Sequence, residues 1–203
     1  MKRKILCTGF SVPPHLKEEE VTHLPLIEEI ALPVENISLE NFTHLIFTSK
    51  TALRLFCEEN ENINKDIPII SVGQATTHEL KKIGFCNIHT AEKENAEGVV
   101  ELIHNLPLTK AHFLWPRSNL AREVIEDYFK ESPCSLTPLD LYTVRTRTIP
   151  KLPDWTSFDF IYFSSPSTIN AFVELYKTLP PLSQCLTIGE VSENHLKYQL
   201  NFI

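Results

Sequence analysis

The chain has 203 residues, of which 42% are hydrophobic and 22% are charged, and its formal net charge is -7 at pH 7. Such a composition is typical of a globular protein with one large domain or two small ones. The negative charge argues against a general nucleic-acid or anionic-membrane surface. No apolar run is long enough for a membrane span, and the apolar stretch 5–12 is too short for a signal peptide, so we expect a cytoplasmic protein.

Short apolar runs alternate with amphipathic stretches along the chain. The runs are apolar without alternation, as strands covered on both faces must be. They predict strands at 4–10, 44–49, 67–73, 110–116, 158–165 and 185–189. The stretches that follow predict helices at 50–59, 75–83, 96–105, 119–130, 167–177 and 190–199. Strand–helix alternation of this kind is typical of parallel sheets.

One stretch of the sequence occurs twice in related form. FTHLIFTSKTALRLFCE at 42–58 matches FDFIYFSSPSTINAFVE at 158–174, with an offset of 116 residues. The same offset places Gly73 on Gly189 in the next strand–helix stretch. Shared propensity alone does not explain a constant offset over two successive units. The sequence therefore predicts two similar α/β halves, each with a strand–Ser–helix unit followed by a strand–Gly–helix unit.

The two halves are not simply consecutive, because the second copy reaches the end of the chain while the first continues through three more elements. Adding the N-terminal strand and a helix after it to the second half makes both halves reasonable sheets. This predicts a discontinuous domain, 1–24 plus 148–203, around an inserted domain, 30–139. The segments 24–32 and 137–147 then cross between the domains and could pair as a two-stranded connector.

The predicted strand ends share one chemistry. Ligands of parallel sheets collect at the carboxyl ends of the strands, where helix N-termini point N–H groups outward. Here these ends carry hydroxyls, amides and one arginine, and the candidate residues are Ser49, Thr76, Arg117, Ser165 and Ser192. Thr76 with Glu79 fits a capping box, and Ser165 before Pro166 fits an N-cap. Each hydroxyl could therefore be only a helix cap.

Several common catalytic motifs are absent. The sequence has no GxGxxG, no GxxxxGK[ST] and no GxSxG, and its histidines show no metal-ligand spacing. The five cysteines form no CxxC pair, which favours free thiols over a metal or redox site. A reaction that needs little acid–base or metal help suits this set of residues best.

A series of motifs resembles the uroporphyrinogen-III synthase family. In order, they are LIFTSKTALRLF, SVGQATTHELKKIGF, AEGVVELI, FLWPRSNLAREVI, LYTV, FIYFSSPSTINAF and LTIGEVSENHL. The resemblance covers nearly the whole chain, and the joint order of the motifs carries it. It implies two similar parallel-sheet domains, flavodoxin-like or HemD-like, joined by a two-stranded connector with the active-site cleft between them.

The resemblance also implies an activity, that of a cyclising hydro-lyase. Such an enzyme closes the linear tetrapyrrole hydroxymethylbilane with loss of water and inversion of ring D, and so makes uroporphyrinogen III for heme biosynthesis. The family uses no metal or organic cofactor. A monomer is implied, with a possible transient hand-over of substrate from hydroxymethylbilane synthase, and no nucleic-acid or membrane partner.

The resemblance also implies roles for individual residues that stand at matching positions of the motifs. Tyr142 in LYTV matches the family's connector tyrosine, the implied general acid for departure of the hydroxyl, although it could instead only pack the connector. Arg117 is either a further carboxylate partner or an exposed side chain. The hydroxyls implied to hold substrate carboxylates are those of Ser49, Thr76, Ser165 and Ser192.

This sequence departs from the family pattern in two places. Val191 stands where the family often has the first of two threonines, and the chain ends soon after its last shared helix. We therefore expect a smaller second sheet, with either weakened activity or a partner that covers the edge of this sheet. The alternative function is a bilobal protein that binds a tetrapyrrole or another polycarboxylate without catalysis. A flavodoxin-like signalling domain is disfavoured, because it would need acidic residues at the strand ends.

Overall fold

The computed structural model describes residues 2–34, 37–60 and 62–201. The chain divides into two compact units, residues 1–30 with 144–203 and residues 31–143. The ranges and connectors expected from the sequence stay predictions, and their terminal residues Met1, Phe202 and Ile203 lie outside the described residues.

The strands of the described residues are β1 (Lys4–Cys7), β2 (Glu20–His23), β3 (Ile27–Ala31), β4 (His44–Phe47), β5 (Ile69–Ser71), β6 (Ile88–Thr90), β7 (His112–Ser118), β8 (Ser135–Thr146), β9 (Phe160–Phe163) and β10 (Cys185–Thr187). The α-helices are α1 (Lys50–Glu59), α2 (Gln74–Lys82), α3 (Ala96–Asn105), α4 (Val124–Lys130), α5 (Pro166–Tyr176) and α6 (Gly189–Leu200). The protein thus has a mixed α/β fold, as the alternating pattern predicts.

Two sheets contain these strands. The first has the order β10-β9-β1-β2 and the second has the order β3-β8-β7-β4-β5-β6. Parallel pairing joins the four strands of the first sheet and the run from β8 to β6 in the second. Parallel sheets are covered on both faces, which explains why the central strands have no polar alternation.

The repeat seen in the sequence is also present in the structure. β4 begins at His44 and β9 at Phe160, an offset of 116 residues, and the starts of α1 and α5 keep the same offset. Each unit packs its strands against its helices around a core of its own. Phe113, Trp115 and Ile46 are buried in one core, and Phe163 and Phe172 are buried in the other.

Two of the predicted helices are wrong in whole or in part. The N-terminal strand is followed by a single 3-10 turn at Pro14–Leu16 and then by β2, not by an α-helix. Proline at 13 and 14 removes backbone donors, and the segment instead places β2 beside β1 in the sheet. The helix predicted at 119–130 begins only at Val124, because residues 119 and 120 form a turn that the Ser118 side chain caps. The other five helices begin within one residue of their predictions.

Candidate active site

Ser49 lies at the carboxyl end of β4 and is the N-cap of α1. Its backbone is extended, with φ -152° and ψ 150°, and its Oγ accepts a hydrogen bond of 3.0 Å from the backbone N–H of Ala52. A serine in this geometry satisfies one of the amide donors that the first helical turn leaves unpaired. Ser49 is therefore a helix cap, and its hydroxyl is held in one place.

The Tyr142 side chain reaches this cap from β8. Its phenol oxygen lies 3.0 Å from Ser49 Oγ, and either oxygen can be the donor. The Tyr142 side chain is only 8% exposed. Two residues that are 93 positions apart in the sequence and that were predicted as site residues are thus brought into direct contact.

A bulge explains how Tyr142 comes to point this way. Arg117 of β7 pairs with Asp140 of β8, but the next residue, Ser118, pairs with Tyr142, so the register skips Leu141. Leu141 and Tyr142 are consequently both buried, although successive strand residues normally face opposite sides. β-bulges re-aim side chains in this way and are common beside functional sites.

Trp115 and Thr48 form a hydrogen bond next to the Ser49–Tyr142 pair. The Trp115 indole Nε1 donates a hydrogen bond of 3.2 Å to Thr48 Oγ1, and Thr48 immediately precedes Ser49. Trp115 is 2% exposed, so its apolar ring lies in the core while its one polar atom is satisfied at the strand end. The indole thereby fixes the end of β4 from which Ser49 projects.

Arg117 pairs with carboxylates of the chain itself. Its Nε donates to Asp140 Oδ1 at 2.8 Å, its Nη1 donates to Glu126 Oε1, and its guanidinium carbon lies 4.7 Å from the centre of the Trp115 ring. The Arg117 side chain is 13% exposed, so the alternative interpretation as an exposed residue is wrong. Its role as a partner of a substrate carboxylate stays a prediction.

Thr76 is not the cap that the sequence pattern indicates. α2 begins at Gln74 with Gly73 at its N-cap, which places Thr76 in the first turn, 4% exposed. The capping-box prediction fails because a carboxylate from outside the helix takes the cap's place: Glu94 Oε1 accepts a 2.7 Å hydrogen bond from the Gln74 N–H. A Cβ added to Gly73 would lie 2.5 Å from Glu94 Cδ, so glycine permits this close approach.

Ser165 is the equivalent of Ser49 in the other unit, where it caps α5. Its Oγ accepts from the Thr168 N–H at 3.3 Å, and the Thr168 Oγ1 accepts from the Ser165 N–H at 3.2 Å. Pro166 occupies the first helical position, which confirms the predicted N-cap with proline after it. The Ser165 hydroxyl is thus engaged by its own helix.

Ser192 lies within α6, close to its start. Its side chain is 3% exposed, whereas the neighbouring Val191 is 43% exposed. Gly189, the first residue of α6, has φ +71° and open space around its Cβ position. A positive φ explains glycine at this helix start. Ser192 and Ser165 both belong to the unit that contains residues 144–203.

The described part of the chain has no cluster of side chains with metal-ligand geometry and no disulfide bond. No group of three or more His, Cys, Asp or Glu residues among 2–34, 37–60 and 62–201 could hold a metal ion. All five cysteines, which lie within those ranges, are free thiols, and burial raises the pKa of the Cys185 thiol to about 11. None of the helices in these ranges is long and apolar enough to cross a membrane.

A cavity of about 500 Å³ lies between α1 and α2. None of the six predicted site residues lines it. Its lining consists of Lys50, Thr51, Leu53, Arg54, Cys57, Glu58, Glu79 and Ile83. It is mostly apolar, and the Arg54 guanidinium on its wall is already paired with Glu58 at 3.0 Å. The cavity therefore does not bring the predicted site residues together.

Trp115 and Asp140 contact Arg117, and Glu94 contacts the start of α2, but sequence reasoning missed all three. Trp115 lies on the predicted strand 110–116, two residues before Arg117, and this spacing puts both side chains on one face because the strand continues to Ser118 in the structure. The two-residue spacing was therefore a signal in the sequence that Trp115 lies beside Arg117. The hydrogen bond of Glu94 to the start of α2 spans 20 residues that include α2 itself and β6, and no sequence pattern predicts it.

Comparison with known proteins identifies the family. The family model described as uroporphyrinogen-III synthase HemD matches residues 17–201. The structure is similar to that of uroporphyrinogen-III synthetase from Helicobacter pylori 26695, with a TM-score of 0.69, 18% identity, and coverage of 97% of this chain and 89% of that one. It is also similar to a mutant uroporphyrinogen III synthase from Thermus thermophilus, with a TM-score of 0.64, 14% identity, and coverage of 97% and 88%.

A second crystal form of the Thermus thermophilus enzyme, with the wild-type sequence, matches with a TM-score of 0.53, 14% identity, and the same coverage of 97% and 88%. At these identities the structural matches show the fold. A search among curated proteins found no match. The family model, in contrast, spans most of the chain, including Ser49, Tyr142 and the strand ends described above. This chain belongs to the uroporphyrinogen-III synthase HemD family.

Proposed function

We propose that this chain is an active uroporphyrinogen-III synthase, which closes hydroxymethylbilane into uroporphyrinogen III with loss of water and inversion of ring D. The observation that carries the proposal is the contact of 3.0 Å between Ser49 Oγ and the Tyr142 phenol, within a chain whose family model matches residues 17–201. It supplies a proton donor that is held in place, which is what departure of a hydroxyl group requires.

Tyr142 is the proton donor in this proposal. Its phenol gives a proton to the oxygen of the substrate's hydroxymethyl group. The carbon–oxygen bond then breaks, its electron pair leaves with the oxygen as water, and the adjacent pyrrole nitrogen feeds electrons to the carbon. Inversion of ring D also requires the bond between ring D and its bridging carbon to break and to form again at the other α-carbon of that ring, an exchange that adds and removes no atoms. The final carbon–carbon bond restores a neutral macrocycle by loss of one proton, so the overall change is loss of one water molecule. The proton released on ring closure balances the one that Tyr142 donated.

Closure of hydroxymethylbilane happens in water without any enzyme, and it then gives the type I isomer. The enzyme's contribution is therefore mainly to hold one conformation, which is the kind of effect that positioning provides. We assign the binding of substrate carboxylates to the hydroxyls and helix N–H groups at the strand ends, that is, to Ser49, Thr76, Ser165 and Ser192. The ion pairs of Arg117 with Glu126 and Asp140 would have to be exchanged for it to join them.

The finer parts of the assignment are proposals of the same kind. They are the hydro-lyase class, a cytoplasmic location, a monomeric state, a direct hand-over from hydroxymethylbilane synthase, and a reaction without metal or organic cofactor. The five free thiols support a reducing compartment. Sedimentation at micromolar concentration tests whether the protein is a monomer. Addition of increasing amounts of this protein to hydroxymethylbilane synthase tests the direct transfer of substrate.

The test of the function is the isomer formed. Porphobilinogen is converted by hydroxymethylbilane synthase in the presence of the purified protein, and the uroporphyrinogens are oxidised and separated by chromatography. The proposal predicts that type III rises from background to the main product as the protein is added. Only type I product at every protein concentration would contradict it. In that case, slower spontaneous closure of the substrate would point to a tetrapyrrole-binding protein without catalysis.

A further inference from the structure

The Ser49 hydroxyl serves two partners at once. Its oxygen accepts the Ala52 N–H at 3.0 Å and lies 3.0 Å from the Tyr142 phenol oxygen. A serine hydroxyl has one proton to donate and two lone pairs that accept. With one lone pair used by the helix cap, Ser49 can either accept from Tyr142 or donate to it.

The direction of this bond has to depend on the state of Tyr142. While the phenol keeps its proton, either oxygen can donate. Once Tyr142 has given its proton to a leaving group, the phenolate can only accept, so Ser49 must be the donor. The hydrogen bond is then charge-assisted, and such bonds are stronger than those between neutral groups. An interaction that strengthens only as the charge develops lowers the barrier and not merely the energy of binding.

The helix that Ser49 caps supports the same direction. α1 has 10 residues, and its amide dipoles place partial positive charge at its N-terminus. The Ala52 N–H that points at Ser49 Oγ draws electron density from this oxygen and makes the Ser49 hydroxyl a better donor. The cap also fixes the hydroxyl, so no side-chain rotation is needed when the phenolate forms.

We propose that Ser49 is a positioning residue for Tyr142, which holds the phenol and donates a hydrogen bond to the phenolate that proton transfer leaves behind. This deepens the proposed function and rests on it for its catalytic meaning. It also changes the assignment of Ser49, because a hydroxyl occupied by the Ala52 N–H and by Tyr142 has little capacity left for a substrate carboxylate.

The test measures Tyr142 directly and needs no substrate. The protein is labelled with 13C at the tyrosine ζ carbon, and the resonance of Tyr142, assigned from its loss in Tyr142→Phe, is titrated with pH. Removing a donor to the phenolate destabilises the charged form, so Ser49→Ala should raise the pKa of Tyr142 by about half to one unit. Ser49→Thr keeps the hydroxyl and should leave the titration near that of the parent.

The chain offers a matched control for loss of a cap. Asn95 caps α3, also 10 residues long, through a hydrogen bond of 2.8 Å from the Gly98 N–H to its Oδ1. Asn95→Ala removes a comparable cap from the same unit without touching Ser49 or Tyr142. It should therefore leave the Tyr142 titration unchanged. If Ser49→Ala does not fold, Ser49→Gly also removes the hydroxyl, and glycine at an N-cap costs much less stability than alanine does.

A Tyr142 titration that is identical in the parent, in Ser49→Ala or Ser49→Gly, and in Asn95→Ala would overturn the inference. The isomer assay is then run on the same variants. Type III product with an unmoved titration supports the proposed function and rejects the role of Ser49. A shifted titration without type III product in the parent rejects the proposed function and keeps the Ser49 donor bond.

Discussion

The two strand–Ser–helix units begin from nearly the same sequence but use their serine differently. Ser49 and Ser165 stand 116 residues apart in equivalent positions, and each caps the helix that follows it. The Ser165 hydroxyl bonds with Thr168 of its own helix, in a reciprocal capping box. Ser49 has Ala52 on its helix and Tyr142 on a distant strand.

The difference comes from the residue three places after each serine and from β8. Thr168 supplies a hydroxyl that closes the box around Ser165, whereas Ala52 carries only a methyl group and makes no such bond. The bulge in β8 then brings the Tyr142 side chain next to Ser49. Both units thus have the serine helix cap, and in one unit the cap also contacts a phenol.

The largest effects should come from the cores of the two units, at the equivalent residues Phe56 and Phe172, both fully buried. Phe172 contacts the rings of Phe163, Trp155 and Tyr176, whereas Phe56 contacts the ring of Phe47. Each Phe→Ala change should lower the free energy of unfolding by about 3–5 kcal/mol. The loss should be larger for Phe172→Ala, by about 1 kcal/mol, because more aromatic pairs are lost. Urea unfolding followed by circular dichroism measures both, and a larger loss for Phe56→Ala would contradict the comparison.

A smaller effect is expected at Arg117, which has no counterpart in the other unit. Arg117→Lys keeps the charge but loses the planar fork to Asp140 and Glu126 and the stacking on Trp115. The free energy of unfolding should fall by about 1 kcal/mol, while KM in the coupled assay stays within about twofold. The control is Arg122→Lys, whose ion pair with Glu97 is exposed, with an expected loss of a few tenths of a kcal/mol. A KM increase of several-fold for Arg117→Lys, with stability unchanged, would instead assign Arg117 to the substrate.

The smallest effects concern one histidine in each unit. Burial lowers the pKa of His44, with a further contribution from His89, and burial alone lowers the pKa of His195. The unfolded chain therefore binds these protons more readily, so stability is lost as the pH falls below about 6.5 towards the lowered values. Between about pH 7.5 and 5.5, Tm should fall by roughly 1–3 °C. His44→Gln should reduce this fall, and a Tm that rises over the same range would contradict the assignment.

The sequence predicts much of this fold because burial on both faces of a parallel sheet leaves a clear pattern. The runs at 44–49 and 158–165 lie inside their sheets and were found at the correct places. β2 and β6 were missed, since each lies at the edge of its sheet and none of its residues is fully buried. The N-terminal helix was predicted from the repeat alone, without an amphipathic pattern of its own.

The site was predictable only where a residue's role is local. Ser165 with Pro166 is a cap that four consecutive residues define, and the prediction is confirmed. The capping-box prediction for Thr76 was wrong because Glu94 takes part in the start of α2. Glu94 lies 20 residues after Gln74, and no local sequence signal indicates this contact. The contact of Ser49 with Tyr142 depends on a one-residue bulge, and no propensity scale encodes a skipped residue.

The most direct test of the central claim compares the two equivalent serines in the coupled assay, as Ser49→Ala and Ser165→Ala. If Ser49 supports the proton donor, Ser49→Ala should lower kcat about tenfold and change KM less than about twofold, since it removes a bond to a charge that exists only during the reaction. If Ser165 only binds, Ser165→Ala should raise KM a few-fold with kcat close to that of the parent. Equal increases in KM with unchanged kcat in both variants would contradict the account.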